Sequence, residues 1–167
     1  MKRRLRTIAV CVIAALVFSG AAVYVYRNGW LGQSGGFLVI RDADSGRVYG
    51  KRPVPDLQFA VEFVHSVHQS PVREFFQIDG GRSGSGRIQP VAVRFHAFGA
   101  GMYSELSEGQ TLGRDGDALV ISGFTTSLRE LNYLLGAVTD HRLIINGNEE
   151  SLRELCGVNT RITLRFE

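Results

Sequence analysis

The sequence predicts a mainly β fold, and three observations carry that expectation. Apolar and polar side chains alternate over short runs, most clearly at Leu57, Phe59, Val61, Phe63 and His65, the period-2 signature of a half-buried strand. Turn signals recur along the chain, at Asp44-Ser45-Gly46, Gly80-Gly81, Asp115-Gly116 and Asn146-Gly147. Strand patterns are not interleaved with helix-length patterns, which argues against a parallel sheet. The expected architecture is an antiparallel sandwich or a partly open barrel with two short helices, preceded by one N-terminal transmembrane helix.

The chain of 167 residues is long enough for one domain plus a targeting segment. Residues 1–6 form a basic tail with Lys2, Arg3, Arg4 and Arg6. Thr7 to Tyr26 (TIAVCVIAALVFSGAAVYVY) carries no charge, and about 20 such residues match the hydrocarbon thickness of a bilayer. Only Arg27 follows closely, so the tail is expected in the cytoplasm and the remainder of the chain outside it. Tyr24, Tyr26 and Trp30 fit an outer aromatic belt. The alternative is a cleaved leader, with Ile8 to Phe18 as its apolar region and Ser19-Gly20-Ala21 as the cleavage site. The apolar run continues past that site to spanning length, which favours an uncleaved anchor at residues 7–26. Either way the domain is exported. No lipobox is present.

The formal charge of +3 suggests a basic protein, but five of the 19 basic residues flank the uncharged run. From Asn28 onward 14 basic residues stand against 16 acidic ones, a net of −2. A nucleic-acid footprint needs a basic stripe on the folded domain, and none is visible. Cys11 lies in the apolar run and Cys156 near the C-terminus, so no disulfide framework is expected; Cys156 reads as a small buried apolar residue.

Residues 27–36 read as a flexible linker, Gly-rich from Asn28, and residues 37–167 as the exported β-rich domain. Phe37 to Arg41 is a strand, and Val48-Tyr49 begins its return after the Asp44-Ser45-Gly46 turn. Leu57 to His65 is the next strand, and Val72, Glu74, Phe76 and Ile78 alternate in the one after it. Gly80 to Gly86 is a loop. Ile88 to Phe98 places Val91, Val93, Phe95 and Ala97 on one face, and Ala118 to Ile121 is a further strand. The pattern changes at Ser127-Leu128-Arg129-Glu130. This capping box, with Leu128, Leu131, Leu134 and Leu135 on one helical face and Gly136 as the stop, predicts a helix. Leu143 to Ile145 is a strand. Ser151-Leu152-Arg153-Glu154 is a second capping box before a one- or two-turn helix, and Arg161 to Phe166 is the last strand.

The richest chemistry sits in His65-Ser66-Val67-His68-Gln69-Ser70-Pro71-Val72-Arg73-Glu74. If the flanking strands pair with His65 opposite Val72, then Phe63 faces Glu74. His65 and Glu74 become diagonal neighbours about 7–8 Å apart at the backbone, on a face shared with Phe59, Val61, Phe76 and Ile78. Burying either group alone would cost several kcal/mol, so each is expected to hydrogen-bond to the other or to the loop backbone. Pro71 holds Ser70 extended. Three readings stand: a buried polar clamp, a ligand or partner site, and a metal or catalytic site. His65 and His68 face opposite ways in a strand, so a metal would also need His96 or His141. His96 shares a polar strand face with Arg94, and His141 follows Asp140 at a strand start. Ser66 and Ser70 lie near His65, yet no Gly-x-Ser-x-Gly elbow is present. No catalytic residue, metal ligand or cofactor is predicted. Phe98-Gly99-Ala100-Gly101-Met102 reads as a bulge or tight corner, or as a backbone rim for a ligand, since no convincing helix start follows it.

The strand entering His65-Ser66-Val67, then Ser70-Pro71-Val72 and Glu74, then Phe98-Gly99-Ala100-Gly101-Met102, then His141 before the last strands, together resemble the DUF1850 family of small bacterial proteins. The resemblance covers most of Phe37 to Glu167 and implies His65, Ser66, Pro71, Glu74, Gly99, Gly101 and His141 as hallmark positions; His68 falls outside the pattern. It implies no particular reaction. It implies a context, since members accompany the fused permease of TAXI-type TRAP transporters, which work with a periplasmic solute-binding protein. The expected partners are therefore a TRAP-type permease, its solute-binding protein or both, and the membrane through residues 7–26, with no nucleic acid. The expected place is the bacterial inner membrane, single pass, with the domain on the periplasmic side. The candidate binding residues are His65, Ser66, Ser70, Pro71, Glu74, Gly99, Gly101 and His141. The expected function is a membrane-anchored accessory or interaction domain. The alternatives are a metal-assisted envelope hydrolase using His65, Glu74 and a further histidine, and a soluble periplasmic ligand-binding module.

Overall fold

The computed structural model describes residues 35–66, 69–80, 86–97 and 105–167. The expected anchor at residues 7–26, most of the linker, His68, Gly99 and Gly101 lie outside the described residues. Among the described residues, alternating sequence becomes strand in chain order: β1 (Phe37–Asp42), β2 (Val48–Pro53), β3 (Gln58–Val64), β4 (Pro71–Asp79), β5 (Arg87–Phe95), β6 (Thr111–Asp115), β7 (Ala118–Ser122), β8 (Glu130–Leu135), β9 (His141–Ile145), β10 (Asn148–Ser151), the helix α1 (Leu152–Cys156) and β11 (Thr160–Phe166). The strands form a four-stranded sheet, ordered β2-β1-β11-β8, and a seven-stranded sheet, ordered β10-β9-β3-β4-β5-β7-β6. Every pairing is antiparallel, and neither sheet closes on itself.

The two sheets share one core. Leu38 and Ile40 of β1 and Ile162, Leu164 and Phe166 of β11 pack with Phe59 and Val61 of β3, Phe76 and Ile78 of β4, and Leu143 of β9. These are the alternating positions of each strand, as the period-2 pattern requires. Phe59 and Phe76 stack with ring centroids 5.0 Å apart. A second cluster of Val72, Val93, Phe95 and Ile121 fills the far part of the larger sheet. Cys156 is buried in the first cluster, and burial pushes its thiol up to about 11. It is an inert apolar filler, as its isolation in the sequence suggested.

The hydrogen bonds of the domain include the residue before Phe37. The Gly36 carbonyl accepts the Val54 amide, and Phe37 and Glu167 exchange amide hydrogen bonds of 2.8 and 2.9 Å. A Cβ on Gly36 would sit 2.5 Å from the Glu167 carbonyl oxygen and 2.6 Å from the Phe166 ring. Gly36→Ala is therefore expected to lower stability by about 1–3 kcal/mol through overpacking, read as a shifted denaturant midpoint at unchanged slope. At the first turn the Asp42 carboxylate accepts the Ser45 amide at 2.7 Å and the Ser45 and Tyr49 hydroxyls at 2.8 and 2.9 Å. Those donors, the Ser45 amide first, hold its carboxyl down at about 2.

One element differs in kind from expectation. The segment after Ser127 is not a helix but strand β8, paired with β11 from Leu135↔Thr160 to Glu130↔Arg165. The groups that would start a helix are engaged elsewhere. The Ser127 hydroxyl accepts from Arg87 Nε at 2.9 Å, and Leu128 exchanges both its backbone hydrogen bonds with Ile88. Leu131, Tyr133 and Leu135 then point to the core side and Glu130, Asn132 and Leu134 away from it, leaving Leu134 64% exposed and Leu135 fully buried. The second capping box behaves as expected: the Ser151 hydroxyl accepts the Glu154 amide at 3.0 Å at the start of α1. Pro90 lies within β5 beside Val91, the extra residue where the register shifts opposite Phe75 and Phe76 of β4, and β7 pairs with β5 only from Ala92 onward, so a residue without an N–H is accommodated.

Candidate functional site

The hairpin of β3 and β4 is tighter than the spacing suggested. Val64 pairs with Pro71, Phe63 with Val72 and Val61 with Glu74, and the His65 amide continues the ladder to the Ser70 carbonyl at 2.9 Å. The connection is therefore the four residues 66–69. It closes through the Gln69 amide to the His65 carbonyl at 2.9 Å and Gln69 Nε2 to the Ser66 carbonyl at 2.6 Å. Gln69 takes the left-handed conformation, with φ of 48°. Pro71 occupies the first position of β4, where a missing donor is tolerated. The expected pairing of His65 with Val72 is thus off by two residues. A two-residue shift keeps every side chain on its face. It separates His65 from Glu74, which now lies opposite Val61, by about 13 Å along the ladder. His65 and Ser70 are half-buried, and Ser66 and Pro71 exposed. Both serines shape the turn through their carbonyls.

Glu74 meets a different partner. Tyr133, on the core side of β8, donates its hydroxyl to Glu74 Oε2 at 2.7 Å. His141 opens β9 opposite Phe63. Its ring stacks on Phe63 with centroids 5.0 Å apart and meets Tyr133 at 5.5 Å, tilted by 56°. Glu74 and His141, both expected site residues, are therefore brought together by Tyr133, which the sequence reading did not single out. Tyr133 would have been found by reading 130–135 as a strand, because Leu131, Tyr133 and Leu135 alternate.

The environment sets the protonation of this trio. Burial raises the Glu74 carboxyl above its ordinary range, and the Tyr133 hydroxyl partly opposes that by stabilising the anion. Burial lowers the His141 imidazole, with the Asp140 carboxylate pulling the other way. His141 Nδ1 is buried without a hydrogen-bond partner among the described residues. The trio is thus an imidazole whose charging burial opposes and a carboxyl whose ionisation burial opposes, joined through a phenol. It suits recognition of a hydrogen-bond donor or a cation. Among the described residues, no three His, Cys, Asp or Glu side chains converge as metal ligands.

A cleft of about 380 Å³ opens beside the trio, between the two sheets, with Glu74, Phe76 and Val93 on the larger sheet and Tyr133 on the smaller. A second groove of about 540 Å³ lies on the outer face of the larger sheet, where Ala60, Phe75, Ala92 and Ile144 lie on neighbouring strands.

The model of a family described as a domain of unknown function (DUF1850) matches residues 59–152. That is more than half of the chain, and it contains Glu74, Tyr133 and His141. No curated protein and no solved structure matches. The chain belongs to the DUF1850 family.

Proposed function

We propose that this chain is a membrane-anchored accessory domain that docks, from the periplasmic side, onto a TRAP-type solute transporter through its permease, its solute-binding protein or both. In this reading the two sheets form an antiparallel sandwich held at the inner membrane by a single helix over residues 7–26. The uncharged run and its basic flank support the anchor. Membership of DUF1850 supports the transporter context by resemblance. The observation that carries the reading is the cleft beside Glu74 and Tyr133, a preformed recognition surface whose polar groups are fixed on strands. An anchor keeps such a surface close to a membrane partner and raises its effective concentration, so the contact itself can be modest.

Extraction of native membranes in mild detergent is expected to recover the permease with the full chain, together with peptides from residues 7–26. Recovery of the chain without permease or solute-binding protein contradicts the docking. A mature N-terminus at Ala22 contradicts the anchor.

A further inference from the structure

We propose that the outer edge of β8 and the cleft beneath it take an extended segment of a partner protein, one that carries a lysine or arginine side chain. This rests on the accessory reading above and names the contact it would use.

Among the described residues, the four sheet edges are not alike. β2 carries Lys51, Arg52 and Pro53, and its pairing with β1 shifts register between Ile40 and Arg41. β10 is only four residues long and holds Glu149 and Glu150. β6 is exposed throughout and contains Gly113, Arg114 and Asp115. Charge, proline, short length and irregularity are the devices that keep a sheet edge from accepting another strand. β8 lacks nearly all of them. It has six residues, Glu-Leu-Asn-Tyr-Leu-Leu, with no lysine, proline or glycine and one charge at its first position. Its register with β11 is unbroken, and no strand lies on its other side among the described residues.

The cleft reaches that edge. Residues 130–133 all line it. Consecutive strand residues point to opposite faces, so what the cleft meets is the strand's edge. A segment added there would run along the outer edge of β8 and lower alternate side chains into the cleft. The lining includes two acidic residues, Glu74 and Glu130, and no basic one. A lysine or arginine would lay its aliphatic stem on Phe76 and Val93 and bring its charge to Glu74, favouring the ionised carboxylate that burial otherwise opposes. A second copy of this chain is the poorer occupant. β8 has no basic side chain to offer, and pairing two such edges would bring two acidic clefts together.

The test uses the full ¹⁵N-labelled chain in detergent micelles and three synthetic heptapeptides, Thr-Val-Thr-X-Thr-Val-Thr, with X as Lys, Leu or Glu. The Lys peptide is expected to shift the amides of residues 130–135 and of Glu74, and to bind at least about tenfold more tightly than the Glu peptide. Glu74→Gln is expected to reduce that preference to within about threefold while the β8 amides still respond. Equal binding of the three peptides, shifts confined to other strands, no binding at about 1 mM, or dimerisation through β8 without peptide overturns the proposal. If Glu74→Gln fails to fold, the comparison of Lys and Glu peptides on the native chain decides alone. Retention of the permease with failure of the peptide test overturns the edge contact and leaves the accessory reading standing. The converse result overturns the accessory reading and keeps the edge.

Discussion

Leu135→Ala is expected to lower stability by about 2–5 kcal/mol, whereas Leu134→Ala changes it by no more than about 0.5 kcal/mol. Leu135 is fully buried in the shared core and Leu134 is 64% exposed. Truncating the first opens a cavity between Leu135 and its packed neighbours; truncating the second removes a side chain from water. Were residues 128–135 a helix, the two leucines would lie on one apolar face and both changes would be costly. Equilibrium unfolding of the two variants, compared at unchanged denaturant slope, therefore reads the strand directly. Costs that are nearly equal would contradict β8, and with it the placement of Tyr133.

Tyr133→Phe is expected to cost about 1–3 kcal/mol above neutral pH and less in acid. The hydroxyl donates to Glu74 Oε2 at 2.7 Å. Its loss leaves a half-buried carboxylate short of a partner, and the carboxylate is the form that most needs one. Burial raises the folded-state value of Glu74 above that of the unfolded chain. Its contribution to stability is therefore complete below the unfolded value and is lost as pH rises through the folded one. Tyr133→Phe deepens that loss, and Glu74→Gln removes it. His141 acts in the opposite sense. Its neutral ring is favoured, so its contribution is present above 6.5 and is lost as pH falls through the lowered folded value. Urea midpoints across the pH range in the native chain and both variants check these signs.

Much of the fold was legible because burial imposes its period on the chain. β1, β3, β4 and β11 each send alternate residues into the shared core, and those apolar positions were visible as such. The turn after Asp42 and the cap at Ser151 were legible because their side chains act locally. What was not legible depended on distant partners. Leu128, Leu131, Leu134 and Leu135 fit a helical face, yet Leu131, Tyr133 and Leu135 also fit a strand. The choice is made by six residues of β11 and by Arg87 and Ile88. Misreading that segment hid Tyr133, the residue that joins Glu74 to His141. The hairpin register was missed by two residues because a glutamine, not a glycine, supplies the left-handed step at position 69. β6 is exposed throughout and β10 is polar and half-exposed; both exist because a neighbouring strand offers them a ladder. Of the candidate site, Glu74 was named from the strand alternation and His141 from family resemblance, and the two converge on Tyr133. His65, Ser66, Ser70 and Pro71 form the adjoining turn, and Gly99 and Gly101 lie outside the described residues.

Glu74 is turned into the space between the sheets and held there by Tyr133. The direct measurement is the Glu74 side-chain carboxyl titration, followed by ¹³C NMR on the full chain in micelles and repeated in Tyr133→Phe. The midpoint is expected above the ordinary 4.5 in the native chain, and higher still when the hydroxyl is gone. A Glu74 that titrates at or below the ordinary value, and does not move when Tyr133 loses its hydroxyl, would contradict it.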